Sequence, residues 1–368
     1  MITRIEIDGF KSFMDFELDV PPFLVVMGGN ASGKSNLVDA LTVLTDNGRR
    51  GQRTFDEGLV GDRGIPAELF HQFDNGTRAG SLTIAAECNI NIPRPDGVTS
   101  EVWRLERSAT YDAATSVIET GGLEGTSSHP PSLSDALRFT NPFDEVDSWI
   151  PLSLIPPLMR GRGLVTDRRS LQLDGSNLPA VLGRIADSAG AEWQELLADA
   201  VALLPELRDI RVERSREYWD LELYSRGSGW MSSRTASDGT LRVLAILAAA
   251  HDPRGPSVVI VDEVENGLHP SRLAELVRRL RSITHASQQA GPLRQIIVTT
   301  HSPVVLSALY PEHEDEVVFL TTAFGPHTVD GKKVGSLRTV VRPVGGAGLP
   351  REIVRGLLDT VRPMEPRL

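Results

Sequence analysis

The chain opens on an alternating segment, Ile2-Thr-Arg-Ile-Glu-Ile-Asp8, with Ile5 and Ile7 on one side and Arg4 and Glu6 on the other. A period of two predicts a half-buried strand. Phe23-Leu-Val-Val-Met27 is continuously apolar and runs into Gly28-Gly29, the pattern of a strand buried on both faces. From Ser35 the period lengthens, so that Leu37, Ala40, Leu41 and Leu44 share one helical face until Asp46-Asn-Gly48 ends it. Leu82–Ile92 and Val102–Tyr111 read as strands joined through Pro93-Arg-Pro-Asp-Gly97. Gly121–Pro131 reads as a loop, and residues 151–175, with Pro151, Pro156 and Pro157, as irregular chain. Helical patterning returns at Asn177–Leu182 and again from Trp193 to Leu204, and Val212–Tyr224 reads as one or two strands.

The last third is the most regular. A helix is predicted from Gly239 to about Ala250, and Pro256-Ser-Val-Val-Ile-Val-Asp262 is a second buried strand. Ser271–Ile283 is amphipathic, with Leu273, Leu276, Val277, Leu280 and Ile283 on one face and Arg278, Arg279 and Arg281 on the other. Gln295-Ile-Ile-Val-Thr-Thr300 is a third buried strand. Strands alternating with helices predict an α/β layer architecture with a largely parallel core sheet. No internal repeat and no sustained heptad pattern occurs.

Composition narrows the class. With 368 residues, 40% hydrophobic and 24% charged, the chain reads as globular rather than disordered. No run approaches the length of a spanning helix, the first residues do not form a signal peptide, and the single cysteine, Cys88, fits a reducing compartment. These features predict a cytoplasmic protein with no membrane partner. The net charge of -11 gives no general attraction to nucleic acid. Arg49, Arg50 and Arg53, and Arg278, Arg279 and Arg281, are the local basic patches, each better described as a solvated helix or loop face than as a phosphate-binding surface. Lysine occurs only at Lys11, Lys34, Lys332 and Lys333, so Lys34 stands out in its glycine-rich setting.

Gly28-Gly-Asn30-Ala-Ser-Gly33-Lys34-Ser35 fits the phosphate-loop pattern G-x-x-x-x-G-K-[ST], between a predicted strand and a predicted helix. Glycines let backbone N–H groups converge on a polyphosphate, Lys34 reaches its terminal phosphates, and the Ser35 hydroxyl is a ligand for Mg²⁺. The helix start turns its positive end to the anion. Val258–Glu263 is the complementary feature: a buried strand delivers Asp262 as a Mg²⁺ ligand and Glu263 as the base for an attacking water. Alone, two acids after an apolar run are a strand reaching solvent; beside a phosphate loop they acquire a role. His301 closes the third buried strand, where an imidazole is placed to meet the terminal phosphate or the water. Ser237-Asp-Gly239-Thr240 precedes a helix and reads on its own as ordinary capping.

This ordered set resembles the ATPase domain of the ABC-type superfamily, in the branch of SMC, RecF and the overcoming-lysogenization-defect (OLD) ATPases, often labelled AAA-family. Phe10-Lys-Ser-Phe13 resembles the N-terminal F-R-S-F segment, Gly28–Asn36 Walker A, Ser237–Thr240 the signature motif, and Val258–Glu263 Walker B. Glu265-Asn-Gly-Leu-His-Pro270 resembles the D-loop and His301 the switch histidine. The resemblance implies a P-loop NTPase head of two lobes spanning residues 1–368. Lobe I is about 1–130 and 250–368 and carries Walker A, Walker B and the switch histidine; lobe II is about 131–249 and carries the signature motif. It implies ATP and Mg²⁺ as cofactors and a homodimer enclosing two ATP molecules. Gly28, Asn30, Gly33, Lys34, Ser35, Asn36 and Lys11 would bind the nucleotide, and Ser237 and Gly239 of one copy would contact the γ phosphate held by Lys34 and Ser35 of the other. Val264 replaces the usual proline after the Walker B acids, Lys11 replaces an arginine, and Gln72 and Gln172 are the candidates for the glutamine loop. About 65 residues follow His301, with no D-x-D after Val317-Val-Phe-Leu320, so no Toprim nuclease is expected in this chain.

The expected function is Mg²⁺-dependent ATP hydrolysis that switches a protein effector, as in antiphage systems. A RecF- or SMC-like DNA-repair or DNA-structure factor is the alternative, against which the net charge and the missing coiled coil weigh. An ATP-holding scaffold without turnover is a third, against which Glu263 and His301 weigh.

Overall fold

The computed structural model describes residues 1–45, 65–94, 97–115, 117–127, 149–188, 190–289, 294–329, 331–344 and 348–361. The arginines at 49, 50 and 53 lie outside these residues. The chain divides into two compact units: Met1–Trp149 with Asp315–Leu349, and Ile150–Glu314 with Pro350–Leu368.

In the first unit, the alternating N-terminal segment forms the strand Ile2–Asp8, and Ile2, Ile5 and Ile7 are buried. It pairs antiparallel with Phe16–Asp19 on one side and Ser81–Arg94 on the other, in a register that sets Ile7 opposite both Phe16 and Ile84. Gly97–Asp112 extends this sheet, as the hairpin pattern predicts. On its half-buried face, Glu6 accepts from Arg104 Nη1 at 2.6 Å and from Arg4 Nε at 3.1 Å, which holds its carboxyl below the usual range. The apolar run Phe23–Met27 is buried throughout and leads into the helix Lys34–Thr45. Val317–Val329 pairs parallel with that strand and antiparallel with Lys332–Pro343, forming a long hairpin that the C-terminal sequence did not announce.

In the second unit, Val258–Val261 is flanked in parallel by Gln295–Thr300, with Ile260 opposite Ile297. Its other neighbour is Ile150–Leu152, also parallel, with Pro151 opposite Ile260. That three-residue strand corrects the reading of the region as irregular. Proline lacks an N–H, so Pro151 is tolerated at an edge strand and masks it in the pattern. Helices Leu178–Asp187, Ala191–Leu203, Asp238–His251 and Pro270–Gln289 agree with the predicted periods. The last buries Leu273, Leu276, Val277 and Leu280, while Ile283 is only half-buried. Residues 207–232 form two hairpins, Leu207–Arg214 with Tyr218–Ser225 and the latter with Gly229–Ser232. No described helix is long and apolar enough to cross a membrane.

Candidate functional site

The phosphate loop lies in the first unit, between Phe23–Met27 and Lys34–Thr45. Ala31 and Gly33 have φ of 62° and 103°, a left-handed bend that glycine at 33 accommodates without strain. A Cβ on Gly28 would sit 2.4 Å from Ser32 Oγ and 2.7 Å from the Leu320 carbonyl oxygen, so only glycine fits that close approach. Gly29, Asn30 and Ala31 are exposed at the crest, and Ser35 is exposed at the helix start. Lys34 is buried, and its Nζ donates to Gly28 O at 2.7 Å and Gly29 O at 2.9 Å. The loop thus curls around its own ammonium group at the positive end of a helix. Both the charge and the glycine-shaped cradle fit a polyphosphate.

Asn36 points back to the Phe10–Phe13 segment, donating from Nδ2 to Ser12 Oγ at 2.8 Å. Lys11 is ion-paired with Asp39 of the same helix at 2.6 Å, which neutralises the charge expected to face nucleotide. Of the glutamine candidates, Gln72 is exposed and bridges to Arg78, and Gln172 donates its backbone N–H to Asn177 Oδ1 at 2.8 Å.

The carboxylates lie in the second unit, after Val258–Val261. Thr299 on the neighbouring strand organises them: its hydroxyl donates to Asp262 Oδ1 and accepts from the Glu263 backbone N–H at 2.9 Å. Glu263 has φ of 47°, in the left-handed region, and Asn266 Nδ2 donates to Glu263 Oε2 at 2.8 Å. Val264 is buried, and its N–H bonds to Thr299 O at 3.1 Å, so valine fills the place of the usual proline without disturbing the turn.

His301 is half-exposed and held by Glu265. One carboxylate oxygen, Oε1, accepts from the His301 backbone N–H at 2.7 Å and lies 2.7 Å from ring Nδ1. The other, Oε2, is buried with no hydrogen-bond partner among the described residues. The sequence assigned Glu265 to a loop motif and Thr299 to a strand; their contacts with His301, Asp262 and Glu263 carry no local signal.

Ser237 caps the helix Asp238–His251, its Oγ accepting from Thr240 N–H at 3.1 Å. Asp238 is paired with Arg160 at 2.6 Å. Gly239 is buried against the Gly267 carbonyl oxygen, 2.3 Å from where a Cβ would stand. The capping reading therefore describes the geometry within one chain. Arg278 and Arg279, candidates for a nucleic-acid patch, are paired with Glu275 at 3.5 Å and Asp199 at 3.2 Å.

Among the described residues no three histidine, cysteine or acidic side chains form a ready-made metal cage. Mg²⁺ that arrives on phosphates needs only one or two protein oxygens, and Ser35 in the first unit and Asp262 in the second are each a hard donor of that kind.

Residues 129–307 match the family described as "AAA domain, putative AbiEii toxin, Type IV TA system". The Old nuclease of Escherichia phage P2 is 20% identical over 86% of this chain, and the chain spans 59% of that protein's length. The head of an SMC protein bound to the C-winged helix domain of ScpA superposes with a TM-score of 0.58 at 15% identity, covering 96% of this chain and 99% of that one. The Pyrococcus furiosus Smc head with an extended coiled coil, bound to the C-terminal domain of ScpA, gives 0.53 at 14% identity, covering 98% and 99%. At such identities the likeness is one of fold.

Proposed function

We propose that this chain, an ABC-type ATPase fold of the SMC/OLD-like branch, hydrolyses Mg²⁺·ATP between two copies of itself and so switches a protein effector. The observation that carries this reading is the buried Lys34 ammonium at the head of a helix, ringed by a loop in which Gly28 and Gly33 leave no room for a side chain. Loop N–H groups and Lys34 hold the phosphates; Ser35 and Asp262 are the oxygens offered to Mg²⁺. When bound, that ion neutralises charge developing on the transferred phosphoryl group. Glu263, oriented by Asn266 and by its own left-handed backbone, takes the proton of the attacking water. His301, fixed through Nδ1 by Glu265, presents Nε2 to the terminal phosphate or the water. Ser237 and Gly239 add N–H groups from the second copy, which makes a lone protomer a poor ATPase.

The effector role is supported by the matched family's toxin–antitoxin description and the phage nuclease relative. The single cysteine, Cys88, fits a cytoplasmic location. The net charge of -11 disfavours a DNA-driven cycle.

Glu263→Gln tests the proposal. It is expected to bind ATP, lose at least 100-fold in turnover, and accumulate as a dimer by light scattering. Persistent turnover would place the base elsewhere, and an ATP-bound monomer would overturn the two-copy site. A wild-type rate stimulated by DNA alone would favour the RecF- or SMC-like alternative.

A further inference from the structure

The long C-terminal hairpin reaches the phosphate loop at one side chain. Thr339, buried in Lys332–Pro343, has its Oγ1 3.0 Å from Ser32 O and 2.8 Å from Ser12 Oγ. Its backbone N–H also donates to Ser12 O at 2.8 Å. A Cβ on Gly33 would fall 2.3 Å from the same hydroxyl, so loop and hairpin are in direct contact.

The proton positions follow from the donor inventory. Ser32 O is a carbonyl and only accepts, so the single Thr339 proton goes to it. Ser12 then donates to Thr339 Oγ1, and Ser12 Oγ accepts from Asn36 Nδ2 at 2.8 Å. The result is a one-way chain, Asn36 to Ser12 to Thr339 to the Ser32 carbonyl, in which each hydroxyl both gives and receives.

The end of that chain matters because the Ser32 carbonyl and the Gly33 N–H belong to one peptide plane. In a trans peptide the two point in opposite directions. Holding the carbonyl towards Thr339 turns the Gly33 N–H to the other side, away from the hairpin. Gly33, with φ of 103° and no Cβ, offers no steric resistance to rotation of that plane. The loop needs glycine for its shape and a lock from elsewhere for its orientation.

We propose that Thr339 is a positioning residue for nucleotide, locking the 32–33 peptide so that the Gly33 N–H faces the phosphates. This deepens the phosphate-loop reading and rests on it. Thr339 itself touches no phosphate; it acts through the backbone it holds. The hairpin's docking does not depend on the hydroxyl. Gly335 N–H donates to Asp74 Oδ1 at 2.9 Å, Ser336 Oγ lies 2.9 Å from His71 Nε2, and the Thr339 N–H bond is main-chain. Removing the hydroxyl therefore unlocks the peptide while leaving the strand in place.

Thr339→Val and Thr339→Ser separate the hydroxyl from the packing. With a fluorescent ATP analogue and Mg²⁺, Thr339→Val is expected to bind about tenfold more weakly than wild type, and Thr339→Ser within about twofold. Affinity is read on folded protein, and melting curves of both variants should lie near wild type. Thr339→Ala, which cannot crowd Gly33, repeats the measurement should valine disturb the fold. Wild-type affinity in Thr339→Val or Thr339→Ala overturns the lock, and so does an equal loss in Thr339→Ser, which would point to the methyl group. Lys34→Ala distinguishes the levels. Binding lost in Lys34→Ala but intact in Thr339→Val removes only this inference; binding that survives Lys34→Ala removes the phosphate-loop reading with it.

Discussion

Glu265 offers the sharpest test of how the second unit prepares His301. Its Oε1 receives the His301 backbone N–H at 2.7 Å and faces ring Nδ1 at the same distance. Glu265→Ala removes both contacts. The backbone bond involves a charged acceptor on a largely buried side chain and is worth about 1.5 kcal/mol. The ring bond is half-exposed and screened, and contributes about 0.5 kcal/mol. Losing about 2 kcal/mol of orientation slows turnover about 30-fold, provided His301 acts in the hydrolytic step. The Michaelis constant for ATP should change little, because neither residue belongs to the phosphate loop. The assay is a double-mutant cycle on steady-state turnover with Glu265→Ala, His301→Ala and the pair. If the carboxylate works through the imidazole, the double variant is no slower than His301→Ala. Glu265→Gln keeps an acceptor oxygen and should fall between wild type and Glu265→Ala. Multiplying effects in the double variant would refute the reasoning, as would a Glu265→Ala enzyme with unchanged kcat.

Two other consequences are open to measurement. Ser237→Arg removes a helix cap worth about 1 kcal/mol and puts a bulky cation at an exposed helix start; it should bind ATP normally yet lose nucleotide-dependent dimerisation and turnover, and a fully active variant would end the case for a site shared between copies. His71 is buried, with Nδ1 2.7 Å from Lys11 O and Nε2 2.9 Å from Ser336 Oγ, and burial pushes its pKa below its usual value. The unfolded chain therefore binds the proton more readily, so His71's contribution to stability is full above about pH 6.5 and is lost as pH falls below it. Melting curves at pH 7.5 and 5.5 should differ more for wild type than for His71→Gln; equal differences would contradict this.

The parts legible in the sequence are those whose signal is local. The run Phe23–Met27, the glycines after it and the helical period from Ser35 lie within some twenty residues, and each pattern follows from one physical requirement. The same holds for Val258–Glu263 and the Ser237 cap. What stayed hidden is made by distant partners. Thr339 is 327 positions from Ser12, and Glu265 is 36 from His301. A threonine in a half-exposed strand or an acid in a loop has too many ordinary explanations for spacing to choose among them. Ile150–Leu152 was hidden differently: Pro151 suppresses the strand signal although the edge tolerates it. Lys11 was legible as a cation, but its pairing with Asp39 was not.

The central claim is that the loop at residues 28–35 is a nucleotide site, and equilibrium binding of Mg²⁺·ATP to wild type and Lys34→Ala tests it most directly. Lys34 lies buried at the centre of the cradle, so its removal should abolish saturable binding while the fold, checked by circular dichroism, persists. Unchanged ATP affinity in a folded Lys34→Ala protein would contradict the account at its root.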